Sequence, residues 1–318
     1  MKFLVIGGAG FIGYHLCKTL SENKINKIDI IDNLQRGKKD FDFKNLLKKK
    51  NVNFKKKNFE NINFVNIDID YDYIFHLASI VGVQNVLNEP DKVLKQNIDL
   101  IYKIIEIAKL QKNLKKICFT STSEIYANSV KFKIAKIPTR EKDLIAINDK
   151  TTPRDSYFLS KLISEKILSL SKLPCVIFRL HNVYGPRMGY SHVIPEIFLK
   201  IKNQTKKISV FSCNHSRAFC YISDAIDQMK TITFGNKKNI LVNIGNDLEE
   251  IKIIDLVKKM LKINNTRKQI KKKNATAGSP LRRCPDMRYN YILTKKKPLI
   301  NLDMGLAKTF SWYNKLSK

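Results

Sequence analysis

Two residues four apart, Tyr157 and Lys161, have the types and spacing from which a chemical reading can start. On a helix they project from one face, about one turn apart. A phenol with its ordinary pKa near 10 is a poor base at neutral pH, but a phenol stabilised by an adjacent cation takes a proton from an alcohol. Bringing it down to about 7 requires roughly 4 kcal/mol, within reach of close cations in a dry site. Amphipathic helices often carry such a pair by chance, so its place in the chain matters more than its pattern. Upstream lies Thr120-Ser121-Thr122-Ser123-Glu124-Ile125-Tyr126, a run of hydroxyls that ends an apolar segment. The run suits an ordinary turn, and it equally suits the ligand crevice at the carboxyl end of a sheet strand.

A second constellation opens the chain. Gly7, Gly10 and Gly13 form a GxxGxxG pattern directly after the apolar run Lys2 to Ile6 and before an amphipathic stretch reaching about Glu22. Glycines there let the backbone turn tightly and approach a pyrophosphate, whose charge meets the amides of a helix N-terminus. Asp32 closes the next apolar run, Lys27 to Ile31, where a carboxylate accepts hydrogen bonds from an adenosine ribose and repels a 2′-phosphate. The expected cofactor is therefore NAD rather than NADP, with Arg36 nearby blunting the preference.

The elements that must position these groups follow from periodicity. Strands are expected at Lys2 to Ile6, Lys27 to Ile31, Val52 to Lys56, Tyr73 to Leu77, Lys116 to Thr120 and Cys175 to Leu180, and helices at Pro90 to Gln111 and Asp155 to Ser171. Strands alternating with helices predict an α/β fold, a doubly wound parallel sheet of Rossmann type with a smaller C-terminal α/β substrate lobe. The expected division is a cofactor domain over residues 1–181, with 218–262 packing back on it, and a substrate lobe from 182–217 and 263–318. Helical patterns at Ile222 to Ile232 and Ile251 to Leu261 motivate the packing back.

The chain has 318 residues, enough for a full core, and six cysteines with neither a CxxC pair nor a Cys/His cluster. They read as buried small hydrophobes in a reducing compartment, with no metal expected. Apolar runs are strand-sized and Met1 leads straight into a strand, which predicts no spanning helix, no cleavable leader and a cytoplasmic protein. Lys and Arg number 59 against 28 acidic residues, a formal charge of +31. The lysine triplets at 48–50, 55–57, 271–273 and 295–297 lie far apart without interleaved aromatics, so they read as solvated surface that favours anionic substrates, not nucleic acid.

Taken together, these motifs resemble the extended short-chain dehydrogenase/reductase family, in its nucleotide-sugar epimerase, dehydratase and decarboxylase branch. The matching segments are Gly7 to Gly13, Ile31-Asp32-Asn33-Leu34, Ile74-Phe75-His76-Leu77-Ala78, Thr120 to Tyr126, Tyr157 with Lys161, Arg179 to Arg187, Arg217 to Asp224 and Arg282 to Asp286, in family order over about 280 residues. The resemblance implies that Tyr157 removes the proton of the sugar's C4 hydroxyl while hydride passes to NAD. Thr122 would hold that hydroxyl, and Lys161 would bind the nicotinamide ribose. Phe11, Ile12, Asn33, Leu77, Ala78 and Asn97 would join the glycines and Asp32 around the cofactor. Asn182, Arg187, Arg217 and Arg283 would meet the nucleotide and its diphosphate, Val210 and Phe211 would line the base pocket, and Asp286 would serve structure. His192 is either a substrate contact or a loop histidine without a role. A homodimer through helices at 91–111 and 155–171 is also implied. The chain departs from the pattern at Asn58 and Glu60, where an acidic residue near the adenine is usual, and at Ser212, which replaces a common glycine.

The reaction turns on Thr122, Ser123 and Glu124. Dehydratases place an acid where Ser123 stands, and a serine has no accessible acidic proton for a departing hydroxyl. Thr-Ser-Glu resembles UDP-glucuronate decarboxylases, whereas the segment Gly189 to Glu196 resembles epimerase-type sequences. The expectation is a sugar 4-epimerase acting through a 4-keto intermediate. Behind it stand a decarboxylase, a C4 dehydrogenase that releases the ketone and a 4,6-dehydratase. A dinucleotide-binding or basic nucleic-acid-binding module is the non-enzyme alternative, and such a module has no need of Thr122, Tyr157 and Lys161 together.

Overall fold

The computed structural model describes residues 1–62, 67–80, 83–203, 205–275 and 279–316, with the side chains of 83–85 left aside. Its strands are β1 (Lys2–Ile6), β2 (Lys27–Asp32), β3 (Val52–Lys56), β4 (Tyr73–His76), β5 (Lys116–Thr122), β6 (Cys175–Leu180), β7 (Val183–Tyr184), β8 (Lys207–Val210), β9 (Ser216–Ala218), β10 (Cys220–Tyr221), β11 (Ile240–Ile244), β12 (Glu250–Lys252), β13 (Gln269–Lys272) and β14 (Arg282–Arg283). Its α-helices are α1 (Phe11–Leu20), α2 (Phe41–Leu47), α3 (Val83–Asn88), α4 (Pro90–Leu110), α5 (Ala127–Lys131), α6 (Asp155–Leu170), α7 (Val193–Lys202), α8 (Ile222–Phe234), α9 (Ile253–Ile263), α10 (Arg288–Thr294) and α11 (Leu302–Leu316).

Seven strands form the main sheet in the order β11-β6-β5-β4-β1-β2-β3, with parallel registers at β1–β2, β1–β4, β2–β3 and β4–β5. The expected doubly wound sheet is thus observed. Strands such as β1 and β4 are buried on both faces, which is why they read as unbroken apolar runs rather than alternating ones. The core beside them is built from Leu4, Ile6, Ile74, Ile101, Ile104, Ile117, Phe119 and Ile177. Strand order reverses between β1 and β4, and ligands of such sheets bind at the carboxyl ends of the strands there.

By internal contact the chain divides into two compact units. One comprises Met1–Ile125, Asn148–Arg179 and Met229–Val242, and the other Tyr126–Ile147, Leu180–Gln228 and Asn243–Lys318. The seventh strand, β11, is not among the six strands expected from the sequence. Where the helical pattern suggested that 251–261 packs on the main domain, α9 instead packs against α7 and α11 in the second unit. Its apolar stripe is satisfied by neighbouring helices, a choice that periodicity alone does not make. All six cysteines are buried and unpaired. No helix among the described residues is long and apolar enough to cross a membrane.

Candidate active site

The loops after β1 and β4 clasp one another. Leu77 and Ala78 both donate their amides to the carbonyl of Ile6, at 2.9 and 3.0 Å, and Gly7 donates to Ile31 at 2.8 Å. Gly7 has φ +84°, and a Cβ there would come within 2.6 Å of the Ala78 nitrogen. A Cβ on Gly13 would sit 2.2 Å from the Gly7 carbonyl oxygen. Only hydrogen fits at either place, so the glycine turn packs directly against the loop after β4 and α1 packs directly against the turn. Helix α1, beginning at Phe11 and Ile12, has Gly10 at its N-cap, no side-chain cap and no acidic residue in its first turn. Its amide end therefore stays available to a phosphate.

Asp32 is buried at the end of β2, where Oδ2 accepts the Ala9 amide at 3.0 Å and Oδ1 accepts the Leu34 amide at 2.8 Å. The carboxylate thus braces the glycine loop and the turn after β2, at the place where a ribose hydroxyl is received in such sheets. Neighbouring Asn33 is exposed and accepts the Gln35 amide. Asn97 is placed differently from a direct cofactor contact. Its Oδ1 accepts Ser79 Oγ and the Ile80 amide, and its Nδ2 donates to the Ile80 carbonyl and to Ser160 Oγ. With its amide committed to these four bonds, it ties the loop after β4 to α6. The uncapped helix end, the glycine cradle and the carboxylate at the end of β2 together fit a dinucleotide. Asn58 and Glu60 bond each other at the exposed surface.

Tyr157 and Lys161 lie on α6, and Thr122, Ser123 and Glu124 at the carboxyl end of β5. Thr122 Oγ1 accepts the Glu124 amide at 3.2 Å, and the Thr122 side chain acts on the Tyr157 phenol, pulling its pKa down. Burial pushes the phenol up, Glu124 adds to that, and the Arg36 guanidinium opposes it; the balance is upward. Lys161 is buried and gives its Nζ to the Thr120 carbonyl at 2.8 Å, 4.6 Å from the centre of the Phe119 ring. Within the chain, the Arg36 guanidinium supplies a charge that lowers the phenol. Sequence reasoning named Arg36 only in connection with the ribose, because nothing local says how far a long side chain reaches.

Lys161 itself is pushed down to about 7 by burial, against the pull of Glu165. Glu165 forms a two-pronged ion pair with Arg179 on β6, with bonds of 2.9 and 2.7 Å. The site list drawn from the sequence had no place for either residue. An arginine inside the apolar strand Cys175–Leu180, and a glutamate four residues after Lys161, were the available signals.

The remaining candidates lie in the second unit. Arg217 on β9 and Arg283 on β14 are direct neighbours in a parallel register. Arg217 donates to the Ser216 carbonyl at 2.7 Å and to Ser279 Oγ at 2.8 Å, and burial followed by repulsion from Arg283 pushes it down to about 10. Two guanidiniums held side by side form a receptor for a doubly charged anion. Asn182 (φ +39°) donates to the Ala218 carbonyl at 3.1 Å, and Arg187 has φ +68°. Val210 is buried, whereas Phe211 is half exposed beneath the Lys200 ammonium, 5.6 Å from the ring centre. Ser212 has φ +55°, which is the physical reason a glycine is natural there. His192 is exposed at the N-cap of α7, and Asp286 binds Arg288 and Arg140.

Comparison with known proteins places this geometry. The family model described as the NAD dependent epimerase/dehydratase family matches residues 3–245. An uncharacterised UDP-glucose epimerase of Bacillus subtilis is 27% identical over 99% of both chains. A UDP-N-acetyl-alpha-D-glucosaminuronate decarboxylase of Bacillus cytotoxicus is 26% identical over 99% of this chain and 98% of its own. Among solved structures, the UDP-glucuronic acid 4-epimerase of Bacillus cereus in complex with UDP-glucuronic acid and NAD superposes with a TM-score of 0.83 at 25% identity, covering 99% of this chain and 100% of that one. The chain belongs to the NAD dependent epimerase/dehydratase family, as an enzyme whose cofactor is NAD.

Proposed function

We propose that this enzyme is a UDP-sugar 4-epimerase that works through a 4-keto sugar. The observation that carries the reading is the pairing of Thr122, at the end of β5, with the Tyr157 phenol on α6, beside a serine rather than an acid at position 123. Bound NAD supplies the hydride acceptor and, in its oxidised ring, a positive charge of the kind the buried phenol needs. Gly7, Gly10, Gly13 and Asp32 would hold it, with Lys161 at the nicotinamide ribose. Tyr157 takes the proton of the C4 hydroxyl and later returns it, and Thr122 keeps that hydroxyl in line. Arg217 and Arg283 offer two fixed positive charges to the diphosphate. Epimerisation then needs no acid beyond Tyr157, because the ketone only has to present its other face when hydride comes back.

A second reading, decarboxylation of UDP-glucuronate, is favoured by Glu124, whose charge acts on Tyr157, and by the decarboxylases among the relatives. Exposed Tyr102 and Leu110 on α4 and Leu170 on α6 support a homodimer through these helices. The test is a panel of UDP-glucose, UDP-N-acetylglucosamine and UDP-glucuronate followed by NMR, with wild type beside Tyr157→Phe. Inversion at C4 without carbon dioxide is the expected result. Gas from UDP-glucuronate would transfer the proposal to the decarboxylase, and turnover that survives in Tyr157→Phe would remove the base from the mechanism.

A further inference from the structure

A deeply buried ion pair lies on the catalytic helix itself. Arg179 grips Glu165 with two bonds, Nε to Oε1 at 2.9 Å and Nη2 to Oε2 at 2.7 Å, and the two side chains are 4% and 3% exposed. Apolar residues of the same volume would pin α6 to β6 as well or better, since desolvation cancels most of what such a pair gains. A reason for charge at this place lies one turn back along α6, where Lys161 occupies the same helix face as Glu165.

The surroundings of Lys161 are poor in compensation. From β5 come the neutral Thr120 carbonyl, which accepts from Nζ at 2.8 Å, and the Phe119 ring. From β4 comes His76, stacked on Phe119 and pushed down to about 3 by burial and by Lys161, hence a neutral ring. From α4 comes Asn97, bonded to Ser160. From α6 itself come Tyr157 and Glu165, and from β6 the Arg179 that holds Glu165. A lysine in such a dry place sheds its proton unless an anion faces it. Of the groups that act on Lys161, Glu165 is the one whose field favours the charged form.

We propose that Glu165, locked by Arg179, is a positioning residue whose fixed negative charge keeps the Lys161 side chain an ammonium inside its dry site. The arginine fork bonds both carboxylate oxygens and so fixes where the Glu165 carboxylate sits relative to Lys161. The proposal rests on the reading of Lys161 as the cation that the chemistry uses.

The experiment labels the lysines of the full-length protein with carbon-13 at Cε and identifies the Lys161 signal by its loss in Lys161→Met. Glu165→Gln is expected to move the midpoint of the Lys161 titration down by about one pH unit, a tenfold change in proton affinity. The alkaline limb of UDP-sugar turnover should follow it by the same interval. Arg179→Lys, which keeps the charge pattern, should hold the titration in place. Because Glu165→Gln strands a buried guanidinium, the double variant Glu165→Gln/Arg179→Met, which removes both charges, is measured beside it and should show the same fall. An unmoved Lys161 signal in the folded variants overturns the proposal. A moved signal with an unmoved turnover profile upholds it and overturns instead the assignment of Lys161 to the chemistry.

Discussion

Thr122 acts on the Tyr157 phenol, drawing its pKa down, while its own Oγ1 accepts the Glu124 amide at 3.2 Å. A hydroxyl hydrogen given to the phenolic oxygen favours the phenolate form. Thr122→Val keeps the shape and removes the hydroxyl. It should lower turnover about 10- to 100-fold, the equivalent of roughly 1.5–3 kcal/mol, while NAD affinity stays within about threefold. Steady-state kinetics beside a calorimetric NAD titration checks this. A loss confined to NAD affinity would move Thr122 out of the reaction and into cofactor binding.

Gly13 has no room for a side chain. A Cβ there meets the Gly7 carbonyl oxygen at 2.2 Å and the Gly8 Cα at 2.6 Å, both backbone atoms that cannot swing aside. Gly13→Ala should destabilise the protein by about 2–3 kcal/mol and abolish the rise in Tm that added NAD gives the wild type. Thermal melts with and without NAD measure both effects. An alanine variant that keeps the NAD-dependent rise would show that the loop adapts and that the cradle is not needed.

Arg217 and Arg283 should report on diphosphate binding separately from chemistry. The two lie side by side in the β9–β14 register, and burial, then repulsion from Arg283, pushes Arg217 down to about 10, a cost that an arriving diphosphate offsets. Arg217→Met or Arg283→Met should raise KM for the UDP-sugar by about 10- to 100-fold and change kcat by less than about threefold. UDP itself, as a competitive inhibitor, should weaken in parallel. Unchanged inhibition by UDP in both variants would be the contrary result.

The buried Lys161 ammonium gives a pH dependence of stability with a definite sign. Its pKa is about 7 in the folded protein against an ordinary 10.5, so between those values the unfolded chain holds a proton that the folded site has released. Stability from this group therefore grows as pH rises from about 7 towards 10.5, with a limiting slope of about 1.4 kcal/mol per pH unit, and is lost as pH falls back through that interval. Urea melts without NAD should show wild type gaining on Lys161→Met across this range. A difference that stays flat or shrinks there would mean that the lysine keeps its proton in the fold.

The chain by itself determined the parts whose physics is local. A glycine turn between an apolar strand and an amphipathic helix, an acid ending the next strand, and a phenol and an amine one helical turn apart are written in spacing, because backbone geometry sets which neighbours meet within a few residues. Six strands of the main sheet and the long helices α4 and α6 were legible for the same reason. The tertiary structure decided what depends on partners distant in the chain. It brought Arg36 within the field of Tyr157, turned Asn97 from a cofactor contact into the clasp of a loop, and bonded Lys161 to the Thr120 carbonyl. It also paired Glu165 with Arg179, set Arg217 beside Arg283, and added β11 to the main sheet. A short strand or a long charged side chain has many places it can satisfy itself, and only the packing of the whole chain, which fixes the dry places and the available counter-charges, selects one.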